Sequence, residues 1–252
     1  MGTGFTLTDI SFILAALIEI LVPIVLAIIV TRKFKVSWAI FFLGMLLFFV
    51  SLVRVPLNNF VSGLLQENTD APYTIILIFL FASITAGLFE EGARVLGIGL
   101  IIKQKNYYKG LMYGIGHGGG ESMIFVGLLT LVNYIVYRYF PGLLPAMVTS
   151  QFGNIAWYMP LLGALERIFA IIIQISLSVM VMHAFLFRKY YFITIAIISH
   201  IIIDFTALYI NYRFGVLFSE ISVFIFALAG VAVIILLRPK HDPDQAINGN
   251  VD

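Results

Sequence analysis

The sequence predicts an all-α fold, a polytopic transmembrane helix bundle of about seven spans, and three observations predict it. Hydrophobic residues make up 61% of the 252-residue chain and charged residues only 11%, where a soluble domain carries roughly 45–50% and roughly 25%. About seven apolar segments approach or exceed the ~20 residues that cross the hydrocarbon of a bilayer. No segment shows the ~10-residue alternation expected of an outer-membrane barrel strand.

The segments follow in order. The first, 8–30, has no basic region before it, so it reads as a retained helix rather than a cleaved signal peptide; Glu19 is its lone acid at depth. The second, 37–55, follows the basic residues Arg32, Lys33 and Lys35. The third, 73–102, carries Glu90, Glu91 and Arg94, and the fourth, 108–137, carries His117 and Glu121. A stretch without charge from Phe140 to Asn154, with Pro141 and Pro145, reads as an external loop. The fifth segment, 155–187, holds Glu166, Arg167 and Gln174; the sixth, 190–211, holds His200 and Asp204; the seventh is 214–237. The third to fifth are long enough to tilt, break or project beyond the bilayer. Residues 1–240 form one transmembrane domain in this reading, and the polar residues 241–252 a disordered tail.

Basic residues orient the bundle. Arg32, Lys33 and Lys35, then Lys103, Lys105 and Lys109, then Arg188 and Lys189, fall in alternate loops, and Arg238 and Lys240 follow the last segment. The other loops hold only Arg54, Arg138 and Arg213. The positive-inside rule then places the N-terminus outside and the C-terminus in the cytoplasm. A net charge of +2 with dispersed basic residues excludes a nucleic-acid surface. The absence of cysteine excludes disulfides, thiolate ligands and cysteine nucleophiles.

Three segments carry ionisable residues one turn apart: Glu90, Glu91 and Arg94; His117 and Glu121; His200 and Asp204. Such spacing puts each group on one helix face. A charge in hydrocarbon costs at least ~2.5–3.5 kcal/mol, so these positions mark a pathway or a reactive site. Measured along each helix at ~1.5 Å per residue, all of them, with Glu166 and Arg167, reach the middle or the cytoplasmic half of the bilayer. One shared cluster satisfies them better than separate burials.

The cluster so expected contains five acids, Glu90, Glu91, Glu121, Glu166 and Asp204, against Arg94 and Arg167, leaving three surplus negative charges if all ionise. Shared protons or a bound cation must compensate. Two imidazoles beside carboxylates suit a borderline divalent metal such as zinc. The glycines from Gly110 to Gly120 either pack helices closely or also open space for a substrate backbone or water beside His117. Ion pairs Glu91–Arg94 and Glu166–Arg167 also fit a purely structural role. Neither the H-E-x-x-H nor the G-x-S-x-G signature occurs, and Asp204 is the lone aspartate at depth, which disfavours a two-aspartate protease.

With these residues in view, the chain resembles the YhfC family of intramembrane peptidases, which is related to the CPBP (CAAX protease and bacteriocin-processing) membrane proteases. Glu90-Glu91-x-x-Arg94 is similar to the EExxR motif of the wider group, His117 to its second-motif histidine, and His200-x-x-x-Asp204 to its H-x-x-x-N/D motif. The stretch from Tyr113 to Glu121 and the Glu166-Arg167 pair resemble the YhfC branch in particular. Asp204 stands where the prenyl-protein proteases usually have Asn.

The resemblance implies an intramembrane (metallo)endopeptidase of the bacterial plasma membrane, acting on peptides or membrane-tethered proteins. Glu90 or Glu91 is then the general base, and Arg94 holds the carboxylates. Glu91, His117, Glu121, His200 and Asp204 are the candidate ligands of Zn2+ or another divalent cation, with Glu166 and Arg167 in support. The alternatives from the residues themselves are a proton- or cation-coupled transporter and a non-catalytic membrane scaffold.

Overall fold

The computed structural model describes residues 6–68 and 71–239. The tail expected at 241–252 lies outside the described residues. Among the described residues there is no strand, and seven helical stretches are long and apolar enough to cross a membrane.

Helix α1 (Leu7–Phe34) starts at a capping box. The Thr6 hydroxyl accepts from the Asp9 N–H at 3.2 Å, and the Asp9 carboxylate accepts from the Thr6 N–H at 2.6 Å. Helix α2 (Trp38–Ser51) breaks at Leu52–Val53 and resumes as α3 (Arg54–Asn68). The span is therefore Trp38–Glu67 rather than 37–55. Asn58, Asn59 and Gln66 make α3 polar enough to read as loop, yet it packs on the following helix, α4 (Ala71–Arg94), where the Thr85 hydroxyl donates to Asn58 Oδ1 at 2.7 Å. Arg54 consequently lies inside a span, level with Glu90, and not in the external loop expected for it.

Helix α4 runs into a π-helical turn, Val95–Ile101. Helix α5 (Tyr107–Gly120) likewise continues as a π-helical segment, Glu121–Leu128, and then as α6 (Leu129–Tyr139). Wider turns of this kind recur at functional sites, and here each directly follows candidate site residues. The stretch 140–154, expected as a loop, contains a 3-10 turn and a short helix, α7 (Ala146–Asn154). Its Phe152 packs on Phe12 and Tyr134. Helices α8 (Met159–Phe187), α9 (Tyr191–Phe214) and α10 (Val216–Leu236) complete the bundle, with Gly215 at φ +88° forming the one-residue joint that only glycine adopts freely.

Helix α8 is the central post. Two-thirds (67%) of its most apolar stretch is buried by protein, against 33% or less for every other span. Helix α5 is wedged between α8 and α2, and its glycines make that possible. A Cβ at Gly116 would strike the Phe41 carbonyl of α2, one at Gly44 would strike the Tyr113 carbonyl, and one at Gly114 would lie 2.6 Å from Ile175 Cα of α8. The positions beside Gly118, Gly119 and Gly120 are filled by Gln174, Pro23 and Met45. The glycine run therefore packs helices together; no open space lies over it for a substrate backbone.

Candidate active site

Burial decides which polar residues meet. Glu90, Glu91, Arg94, His117 and His200 are each at most 3% exposed, so every polar atom among them must find a partner inside the bundle. Glu90 and Glu91 come from the last turn and a half of α4, His117 from the last turn of α5, and His200 from the middle of α9.

Glu90 is the hub. Its Oε1 accepts from Arg54 Nη2 at 2.7 Å, and its Oε2 lies 3.0 Å from His117 Nε2 and 3.7 Å from His200 Nε2. Both imidazoles thus aim the same ring nitrogen at one carboxylate oxygen. Asp204, one turn beyond His200 and about one-third exposed, brings Oδ2 to 3.6 Å from His200 Nε2.

Glu91 does a different job. Its Oε1 pairs with Arg94 and with His200 Nδ1, the latter at 2.7 Å. A carboxylate accepts, so His200 donates from Nδ1 and turns Nε2 towards Glu90 and Asp204. Arg94 is locked on every side: by Glu91, by Gln174 Oε1, and through Nε to the Ser178 hydroxyl at 3.0 Å. Tyr113 donates to the Ala93 carbonyl at 3.3 Å and lies along the His117 ring, while Phe48 meets that ring edge-on.

The remaining predicted residues stand apart. Arg167 pairs with Glu121 (Nη1 to Oε1, 2.8 Å) and with Glu166. Among the described residues only Gln174 hydrogen-bonds to both groups, with Nε2 at 3.4 Å from Glu90 and 3.5 Å from Glu121. The single cluster expected from depth is two clusters joined by one glutamine. Near Glu90 the balance is three carboxylates, with Glu91 and Asp204, against Arg54 and Arg94. That leaves one surplus negative charge beside two imidazoles.

Arg54 is the residue that sequence reasoning placed elsewhere. The available signal was the apolar run that continues past it through Val55, Leu57 and Phe60. Three buried atoms here have no hydrogen-bond partner: Arg54 Nε, Glu91 Oε2 and His117 Nδ1.

As the side chains stand, no group of three or more His, Asp or Glu among the described residues is placed to hold a metal ion. His117 is bonded directly to Glu90, Glu91 is committed to Arg94 and His200, and Glu121 to Arg167. The chemistry nonetheless suits one. Two imidazoles and the carboxylates of Glu90 and Asp204, converging at 3.0–3.7 Å, are donor types that a borderline divalent cation takes, and a proton on His200 Nε2 meets the same charge requirement.

Comparison with known sequences follows the same lines. The profile of a family described as YhfC intramembrane metalloprotease matches residues 18–226. The chain is 27% identical over 249 residues to the uncharacterized membrane protein YhfC of Bacillus subtilis (strain 168), covering 90% of this chain and 95% of that relative. No solved structure matches it.

Proposed function

The chain belongs to the YhfC intramembrane metalloprotease family, and from that premise we propose that it is an intramembrane peptidase that hydrolyses peptide bonds of membrane-associated substrates at Glu90. The observation that carries the reading is the convergence of His117 Nε2 and His200 Nε2 on Glu90 Oε2, all three residues being buried within the bundle.

In this reading Glu90 is the general base. A water bound between Glu90 and the imidazoles gives its proton to the carboxylate while its oxygen bonds to the scissile carbonyl carbon. Glu90 then returns the proton to the leaving nitrogen as the C–N bond breaks. Arg54 is bonded to Glu90 through one nitrogen only, and its unpartnered Nε–H is a donor for the developing oxyanion. Glu91 fixes the tautomer of His200, and Arg94 with Ser178 fixes Glu91.

A divalent cation, zinc by the character of its donors, would be held by His117, His200 and Asp204, with Glu90 left free as the base, and would supply Lewis acidity for the carbonyl and the water. Glu91 moves from the ligand set to the support of His200, and Glu121 to the neighbouring group.

The test is cleavage of a membrane-tethered reporter by purified protein, combined with metal analysis. Glu90→Gln and His200→Ala are expected to lower turnover by at least about 10³-fold with the protein still folded. Metal is expected to copurify with wild type and to be depleted in His117→Ala. Full cleavage by Glu90→Gln would reject the assignment.

A further inference from the structure

One buried acid is used by nothing in that mechanism. Glu19, halfway along α1, is 6% exposed, and its carboxyl makes no hydrogen bond or ion pair among the described residues. The charged groups that act on it are Arg167 and Glu166. They do not satisfy it: both terminal nitrogens of Arg167 are committed, one to Glu121 and one to Glu166.

The carboxyl faces a cavity of about 210 Å³ between α1, the π-helical segment with α6, and the start of α8. Ala15, Ala16, Gly127, Thr130, Pro160 and Gly163 line its narrow walls. Glu19 Oε2 rests against Gly127, where an added Cβ would come within 3.0 Å of it. The neighbouring residue of Glu121, Ser122, donates to the Glu19 carbonyl at 2.9 Å. Gln174 in turn links Glu121 to Glu90.

We propose that this cavity binds a primary ammonium group on an apolar stem, with the Glu19 carboxyl as its counter-charge, and that its natural occupant is a lysine-type side chain of the peptide substrate. Apolar walls with one acid at the end match a methylene chain bearing a single positive charge. A bare divalent cation requires several oxygen ligands, and among the side chains lining this cavity only Glu19 and Thr130 carry oxygen. An ammonium occupant supplies the counter-charge that Arg167 does not, whereas beside a neutral occupant the Glu19 carboxyl keeps its proton. An aminolipid headgroup is a poor match. Glu19 lies ~18 Å along α1 from Leu7 at ~1.5 Å per residue, well below headgroup level.

The occupant as substrate rests on the peptidase reading; the binding site does not. The test titrates n-butylammonium, with n-butanol as neutral control, into detergent-purified wild type, Glu19→Gln, Gly163→Leu and Glu90→Gln, and follows binding by calorimetry. Gly163 lines the cavity and an added Cβ there meets nothing within 4 Å, so Gly163→Leu is the variant chosen to occupy it, with a melting temperature near that of wild type as its control for folding. The expected result is saturable binding of the amine by wild type and Glu90→Gln, weakened at least about tenfold in Glu19→Gln and in Gly163→Leu. Equal binding by Glu19→Gln, equal binding of butanol, or no saturable binding by wild type would overturn the proposal. In nanodiscs, competition by phosphatidylethanolamine against phosphatidylglycerol would assign the site to lipid and overturn the substrate occupant. Loss of cleavage in Glu90→Gln with amine binding intact separates the two readings.

Discussion

Arg94 and Arg54 illustrate how differently two arginines act when paired with adjacent glutamates. Arg94 has no exposed surface and every nitrogen engaged, so its loss leaves Glu91 as an uncompensated buried charge. Breaking such a pair costs about 3–5 kcal/mol, and Arg94→Met is expected to lower the melting temperature in detergent sharply. Arg54 is partly exposed and holds Glu90 through one nitrogen. Arg54→Lys keeps the charge but cannot present two directed donors. It is expected to melt within a few degrees of wild type while turnover on the reporter falls about 10²–10³-fold. Equal loss of stability and turnover in both variants would leave Arg54 a structural residue.

At the scale of elements, the wedge of α5 between α2 and α8 sets the geometry of the site. His117 rides on that helix, and its distance from Glu90 follows from how closely glycines let the backbones approach. Gly116→Val is expected to destabilise by more than the ~1–3 kcal/mol of ordinary overpacking, because a carbonyl and not a mobile side chain blocks the new group. Gly92, also beside the site, has nothing within 4 Å of an added Cβ. Gly92→Ala is expected to melt at or slightly above the wild-type temperature, since alanine suits a helix better. Thermal unfolding of the two variants side by side checks both. The break at Leu52–Val53 matters in the same way, because it returns the chain into the bundle at the point where Arg54 meets Glu90.

For the whole molecule, the orientation drawn from basic residues places Lys33 in the cytoplasm and residues 140–154 outside. The chain has no cysteine, so single replacements report without background. In intact cells, an impermeant maleimide is expected to label Ser150→Cys and to spare Lys33→Cys until the membrane is opened. The reverse pattern would invert the bundle. The path of polar groups from Glu90 through Gln174 to Glu121, Arg167 and Glu166 also suits a proton- or cation-coupled carrier. Uptake of 22Na+ or of protons by vesicles, altered in Gln174→Leu, would favour that reading over hydrolysis.

The spans were legible because each is a long apolar run whose burial in lipid or protein needs no tertiary knowledge. The pairing of Glu90 with His117 and His200 was foreshadowed by depth alone, since charges in hydrocarbon must seek one another. Composition and spacing by themselves determined a helical membrane protein of about seven spans, with imidazoles and carboxylates gathered at depth. Tertiary structure alone decided that Arg54 belongs to the site, that Glu91 serves His200, and that Glu121 turns to Arg167. It also left Glu19 facing a cavity. Depth fixes a residue along one axis only, whereas partners are chosen around the helix, by which face meets which neighbour at hydrogen-bond range.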